Sequence, residues 1–322
     1  MTVMAISSSQ NVSKGNLQLG FVGLGMMGAS IAARLLEAGY VVHLYDPDTE
    51  RMRQSVSQGG IARTSPRDIA DQADIVFACL PSQDVSLQVA AGPDGVMHGQ
   101  RATIYVEMST IGQRTLERIA GHMAVAGKTV IDAPVSGGPR GAEAGTLSII
   151  VSGDPDTVAS VRPYLQCIGK NIFDMGPVPG QAQMMKLVNN MISAANMAAA
   201  CEALVLGAKA GLDPDLMVSV INASTGRNSA TTDKIPKAVL PGTFDYGSRL
   251  EIIYKDVRLG LEEAASLHVP MWVGSIVGAT WEFAMSQGGA NEDYSTLIRH
   301  MEQWSGVQVR SRDVSTKPKK ED

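Results

Sequence analysis

Cysteine is scarce in this chain: Cys79, Cys167 and Cys201 are its only three, and they form no C-x-x-C pair. That excludes a disulfide-stapled scaffold and a cysteine-ligated zinc site. Cys79 and Cys201 stand in apolar or alanine-rich stretches and read as reduced core residues of a cytosolic protein. His43, His98, His122, His268 and His300 are isolated from one another, so no metal is expected. Aromatics make up 5% of residues against 44% hydrophobic, so the cores must be built from Ala, Val, Ile, Leu and Met. Positive charge is not in excess either. Lys and Arg number 27 against 32 Asp and Glu, a net −5, which excludes bulk attraction to nucleic acid or anionic membrane and favours a small partner. The start lacks a basic segment followed by an apolar run, and no stretch of about 18 uncharged apolar residues suggests a membrane span. A soluble cytoplasmic protein is expected. Patterns of the G-x-S-x-G and G-x-x-x-x-G-K-[ST] kind are also absent.

What is present begins with Leu17-Gln-Leu-Gly-Phe-Val-Gly23-Leu-Gly25-Met-Met-Gly28. An apolar strand leads directly into an alanine-rich helix over about 26–38, stopped by Gly39, and a second strand over 40–45 ends on Asp46. In that order the glycines read as a dinucleotide site. Gly23 permits the tight turn, Gly25 lets the backbone approach a pyrophosphate, and Gly28 lets the helix pack closely on the strand. Asp46 follows Gly28 by 18 residues, where a carboxylate can accept both ribose hydroxyls. It favours NAD over NADP, because a 2′-phosphate there meets Asp46, Asp48 and Glu50 with only Arg51 to offset them. The alternative is that Asp46-Pro47-Asp48 only turns the chain and caps the next helix.

With 322 residues, two domains are expected. Strand-like runs at 17–22, 41–45, 74–80, 103–107, 129–132 and 147–151 alternate with helical patterns near 66–71, 82–90, 112–126 and 155–165. This alternation predicts an α/β fold with a doubly wound parallel sheet. Past Pro179-Gly180 the pattern becomes helical, with a long run over 181–210 ended by Gly211, a helix after Asp213-Pro214, and helices over 250–267, 271–286 and 294–304. The expected division is a disordered lead (1–16), a dinucleotide-binding domain (17–178), an all-α domain (179–305) and a disordered tail (306–322). Lys317-Pro-Lys-Lys320 is expected to be solvated tail.

Three further segments carry possible chemistry. Asp132-Ala-Pro-Val-Ser136-Gly137-Gly138 follows a strand and offers a hydroxyl and open glycine amides to a carboxylate, or is a plain turn. Lys186 and Asn190 lie four apart on the long helix and can converge on one ligand atom, or form its solvated side. Their neighbours Met184, Met185, Met191 and Met197 read as core filler. In Tyr254-Lys255-Asp256, adjacent helical residues point about 100° apart and serve different partners, or form a surface charge pair.

Taken in order, these segments resemble the β-hydroxyacid dehydrogenase family over about residues 17–305. The resemblance rests on Gly23-Leu-Gly-Met-Met-Gly28, Leu80-Pro81, Met108-Ser-Thr110, Asp132-Ala-Pro-Val-Ser-Gly-Gly138, Gly180 with Lys186-Leu-Val-Asn-Asn190, Lys255-Asp256 and Asn291-Glu-Asp293-Tyr-Ser. It implies a Rossmann domain, an all-α C-terminal domain entered by a long interdomain helix, and a homodimer or homotetramer with its site between domains. Gly23, Leu24, Gly25, Met26, Met27, Gly28 and Asp46 would hold NAD. Leu80, Pro81 and Thr110 would line its nicotinamide side, and Lys255 would lie near the nicotinamide ribose. Ser136, Gly137 and Gly138 would hold the substrate carboxylate, with Lys186 catalytic and Asn190 orienting the substrate oxygen.

The activity so implied is oxidation of a small β-hydroxyacid such as 3-hydroxyisobutyrate, or the reverse. Seven residues before Lys255, where many members carry an aromatic, stands Ser248, followed by Arg249. That departure points to a more polar acid, of the threonate or tartronate semialdehyde kind, or to a second carboxylate reaching Arg249. An imine reductase usually lacks the lysine and prefers NADPH, and a non-catalytic NAD-binding relative loses the lysine. Lys186 and Asp46 argue against the first, and Lys186 against the second.

Overall fold

The computed structural model describes residues 17–311. Apolar runs set the first layer. Ile75-Val-Phe-Ala78 has no polar residue, and all four side chains are buried, as a strand covered on both faces requires. The first unit runs β1 (Gln18–Val22), α1 (Met26–Glu37), β2 (Val41–Tyr45), α2 (Thr49–Ser57), β3 (Ile61–Ala62), α3 (Pro66–Gln72), β4 (Ile75–Ala78), α4 (Gln83–Ala91), β5 (Ile104–Glu107), α5 (Gln113–Val125) and β6 (Thr129–Asp132). Ser65 and Ser82 start α3 and α4 by accepting the Asp68 and Val85 amides. The strands form one parallel sheet in the order β3-β2-β1-β4-β5-β6. Side chains alternate between its faces: Leu19, Phe21 and Phe77 pack towards α1, while Val22, Val76 and Ala78 pack with α3, α4 and α5. The order reverses between β1 and β4, where Val22 pairs with Ala78, so the glycine loop and Leu80-Pro81 leave the sheet side by side.

Glu107 ends β5 fully buried, accepting the Tyr105 hydroxyl at 3.0 Å and the Ser109 amide at 2.9 Å. Desolvation pushes its pKa up to about 7, against the hydrogen bonds that favour the anion. The folded state thus holds the proton more tightly than the unfolded chain, in which a glutamate titrates near about 4.3. The resulting stability is complete below that value and is lost as pH rises through about 7. Glu107→Gln should flatten this fall, whose slope is at most about 1.4 kcal/mol per pH unit, in urea midpoints taken at several pH values. Superimposable pH profiles for the two proteins would refute the assignment.

Leu147–Val151 departs from the expected single sheet. Residues 132–174 build β7 (Val135–Ser136), α6 (Gly138–Glu143), β8 (Leu147–Val151), α7 (Pro155–Ile168) and β9 (Gly169–Asp174). The three strands form a separate sheet, β7-β8 antiparallel and β8-β9 parallel. An apolar run of five residues looks alike in any sheet, because periodicity reports burial and not which edge the strand joins. β9 had no apolar signal, as four of its six residues are exposed.

The second unit is helical: α8 (Gln181–Lys209), α9 (Pro214–Asn222), a π-helix over Ala230–Val239, α10 (Leu250–Ser266), α11 (Trp272–Ser286) and α12 (Leu297–Ser305). By length and apolarity α8 could cross a bilayer, but Met197, Cys201 and Leu204 on it are fully buried against α10, α11 and α12. Expected core filler on α8 holds for Met197 and fails for Met185, which is 39% exposed. The π-helix has no local sequence signal beyond Pro236, which lacks an amide to donate.

The tail expected to be disordered from 306 is instead packed over its first residues. Val309 is fully buried, Arg310 bonds Glu302 at 2.7 Å and lies over the Phe244 ring, and the Ser311 amide donates to Leu240. Composition gives no sign of this because two of the partners, Leu240 and Phe244, are remote in sequence. The 1–16 lead, and Lys317-Pro-Lys-Lys320 in the rest of the tail, lie outside the described residues.

Candidate active site

The three glycines of the loop have different physical reasons. A Cβ on Gly23, at φ +94°, would stand 2.3 Å from the Cys79 carbonyl oxygen, and one on Gly28 would stand 1.9 Å from the Gly23 carbonyl oxygen. Those two are demanded by the chain's own packing. A Cβ on Gly25 meets nothing within 4 Å, so the protein leaves open ground there. That ground lies at the start of α1, which has no side-chain cap and no acid in its first turn. Uncapped amides and the positive end of the helix suit a diphosphate, so the loop fits a dinucleotide.

Asp46 is buried at the end of β2, where it accepts the Leu24 amide at 2.7 Å and the Asp48 amide at 2.9 Å. The turn and cap of the second alternative are present: Asp46 turns the chain and also braces the glycine loop, while the cap of α2 is Asp48. Arg51 lies 3.9 Å from Asp46 and 3.4 Å from Asp48. Its charge is therefore already engaged by acids.

At the ends of β4 and β5, the Leu80 amide donates to Ser109 Oγ at 2.6 Å. The Thr110 carbonyl accepts Lys255 Nζ from α10 at 2.5 Å, so the helical unit reaches the edge of the sheet beside Leu80-Pro81. Glu263, two turns further along α10 and 3% exposed, accepts the Arg114 amide at 3.2 Å.

The start of α8 is tied to the sheet by a buried hub. Asp132 Oδ2 accepts the Gly180 and Gln183 amides at 3.1 and 2.9 Å and the Ser152 hydroxyl at 3.1 Å, while Oδ1 accepts Gln183 Nε2 at 2.9 Å. Gln183 Nε2 also donates to the Ser109 carbonyl, and Oε1 accepts the Ile111 and Gly112 amides. Burial lifts the Asp132 carboxyl to about 6, although its four donors favour the anion. Sequence reading overlooked Gln183, Glu263 and the anchoring role of Asp132. Spacing held the signal: 183, 186 and 190 share one helical face, as do 256 and 263.

Lys186 follows Gln183 by one turn and is 7% exposed, which excludes the solvated-face alternative. Desolvation lowers its pKa from the usual lysine range, Asp256 opposes that shift, and the Lys255 charge adds to it. Asn190 Nδ2 donates to Asp256 Oδ2 at 2.6 Å. Lys255 and Asp256 serve different partners as expected, but they also touch each other, Nζ lying 2.9 Å from Oδ1 outside hydrogen-bond alignment. With the Asp256 side chain 5% exposed, this is no surface pair.

Ser136 ends β7 opposite Ser148, and Gly137 and Gly138 follow at φ +135° and +65°, conformations that L side chains rarely adopt. Both glycines are exposed. Among the described residues no hydrogen bond or ion pair joins this turn to Lys186; the hub at Asp132, four residues before Ser136, relates the two. Arg249 stands apart from that group. Its guanidinium contacts Glu251 at 2.7 Å and Asn291 at 3.5 Å, and neither contact connects it with Lys186 or Asn190.

Residues 18–176 match a family model described as the NAD binding domain of 6-phosphogluconate dehydrogenase. Residues 180–301 match one described as the NAD-binding of NADP-dependent 3-hydroxyisobutyrate dehydrogenase. The 2-(hydroxymethyl)glutarate dehydrogenase of Eubacterium barkeri is 36% identical over 91% of this chain and 98% of its own. The NAD-dependent L-serine dehydrogenase of Pseudomonas aeruginosa is 33% identical over 87% of this chain and 96% of its own. Among solved structures, Mycobacterium tuberculosis 3-hydroxyisobutyrate dehydrogenase with L-serine superposes with a TM-score of 0.81 at 30% identity, covering 88% of this chain and 99% of that one.

Proposed function

Because the chain belongs to the β-hydroxyacid dehydrogenase family and is a nicotinamide-dependent enzyme of that kind, we propose that it oxidises a small β-hydroxyacid with NAD at Lys186. The observation that carries this reading is the buried lysine with its depressed pKa, one helical turn from an asparagine held by Asp256. The nicotinamide, when bound, supplies the acceptor for the hydride leaving the carbinol carbon. The alcohol's proton passes to the neutral Lys186 amine, and in reduction the ammonium returns it. Asn190 Nδ2, with one N–H on Asp256, keeps the other for the substrate oxygen. The Ser136 hydroxyl and the Gly137 and Gly138 amides take the carboxylate, since the glycine conformations leave no side chain in the way.

The compounds in the relatives' names support the substrate class. 2-(Hydroxymethyl)glutarate, 3-hydroxyisobutyrate and serine each carry a hydroxymethyl group and a carboxylate on one carbon, and differ only in the third substituent there. A more polar acid of the threonate or tartronate kind is the second reading, favoured by Ser248-Arg249.

NAD is the cofactor in this proposal because Asp46 and Asp48 would repel a 2′-phosphate while Arg51 is already engaged. A homodimer or homotetramer is also proposed. Its support is an apolar face on α11, where Trp272, Val273 and Ile276 are 82%, 73% and 71% exposed.

The test follows nicotinamide absorbance with purified protein, both cofactors and a panel of hydroxyacids with their semialdehydes. Reduction of NAD by at least one hydroxymethyl acid is expected, with kcat/KM about tenfold or more above that with NADP. Equal use of both cofactors would remove Asp46 as selector, and no turnover with any acid would remove the substrate reading.

A further inference from the structure

The second core holds a lysine that this chemistry leaves unused. Lys234, in the π-helix, is 8% exposed, and among the described residues it forms no ion pair. Its neighbour Asp233 is engaged by Lys237 and by the Tyr246 hydroxyl. The Lys234 ammonium instead donates to Ser193 Oγ at 2.7 Å and Ser229 Oγ at 3.1 Å. Burial pushes its pKa down, with the Asp233 charge opposing. An ammonium removed from water whose hydrogen-bond partners are both neutral, with the Tyr294 ring 6.0 Å away and the Asp233 charge already shared with Lys237, is costly unless an anion joins it. Each serine oxygen that accepts from Nζ keeps its own O–H to donate to such an anion. Ser229 is exposed, so the group is reachable from that side.

Position relates Lys234 to the reacting atoms. Ser193 follows Lys186 by seven residues on α8, a rise of about 10 Å with only about 20° of rotation, and Asn190 lies between them on the same face. A substituent that extends along α8 from a substrate at Lys186 and Asn190 therefore meets Ser193 and the lysine bound to it. The glycine turn approaches from the other unit: the charge of Arg140, two residues after Gly138, acts on Tyr246, whose hydroxyl bonds Asp233.

We propose that Lys234, with the hydroxyls of Ser193 and Ser229, binds a second carboxylate of the substrate, which makes the substrate class a β-hydroxy diacid. The proposal rests on the hydroxyacid reading above. It assigns the third substituent on the α-carbon, the one that differs among the relatives' compounds, to a charged subsite. Arg249, already paired with Glu251, is not needed for it.

The test compares initial rates on 2-(hydroxymethyl)glutarate and 3-hydroxyisobutyrate, which differ by a carboxyethyl for a methyl group, in the full chain at saturating NAD. The wild type should favour the diacid in kcat/KM by about 30-fold or more. Lys234→Met, which keeps the length of the stem, should lower that ratio by about 30-fold or more, and Ser193→Ala by about fivefold to tenfold. Ser193→Ala also serves if Lys234→Met does not fold. A wild-type ratio near one, or variant ratios within threefold of wild type, would overturn the subsite. If neither acid reduces NAD, the hydroxyacid reading fails separately. Calorimetric titration of glutarate then decides the subsite: binding lost in Lys234→Met keeps it, and binding absent or unchanged removes it.

Discussion

Lys186→Met should lower turnover by about a thousandfold while NAD still binds, within the range of 10²–10⁴ that a positioned acid or base contributes. The argument is one of position and charge state. Lys186 lies behind Gln183 on the anchored first turns of α8, too buried for bulk water to replace it as proton acceptor. Its pKa is lowered chiefly by desolvation, so at any given pH more of it is neutral than of a solvated lysine. Methionine fills the same volume and removes a buried charge, so thermal stability should not fall and any loss of rate is chemical. Oxidation needs the neutral amine, so wild-type kcat/KM should rise with pH through the depressed lysine pKa, and the variant should lose that limb. Turnover within tenfold of wild type, or an unchanged pH limb, would remove Lys186 from the proton chemistry.

Asp132→Ala is the second large effect, an expected loss of about 3–5 kcal/mol of folding stability measured by urea denaturation. The substitution leaves two backbone amides, the Gln183 side-chain amide and the Ser152 hydroxyl without their acceptor in a fully buried place. It also loosens the start of α8, leaving Gln183 held by Ser109, Ile111 and Gly112 alone, so kcat should fall in the protein that remains folded. Asp132→Asn retains one oxygen for Gly180 and Gln183 but turns an amide donor towards Gln183 Nε2, and should cost about 1–2 kcal/mol. A loss under about 1 kcal/mol for Asp132→Ala would mean that the hub does not join the two units as the hydrogen bonds indicate.

Much of the fold was legible from local pattern. The helix expected over 181–210 agrees to within one residue with α8 (Gln181–Lys209), because its apolar run and the glycines at 180 and 211 are adjacent features. Leu147–Val151 is legible as a strand but not as part of a second sheet, since pairing depends on where the chain returns after Pro134. The packing of Val309 and Arg310 is not legible locally, because Phe244 and Leu240, against which this segment lies, are remote in the sequence. At the site, Lys186 and Asn190 were visible as a pair at helical spacing. Their buried setting was not, because burial is imposed by α10 and the sheet edge.

The sequence by itself determined that a glycine loop precedes a helix, that strands alternate with helices up to about residue 178, and that a lysine and an asparagine share one face of a long helix. These are short-range consequences of backbone sterics and side-chain periodicity. Only the tertiary structure decided which glycine makes room for a ligand. It alone showed that Asp132 and Gln183 join the units, that Asp256 holds Asn190, and that Lys234 is buried with no ion pair among the described residues. The last three depend on groups brought within about 3 Å across tens of residues, where desolvation and hydrogen bonding change what a side chain can do.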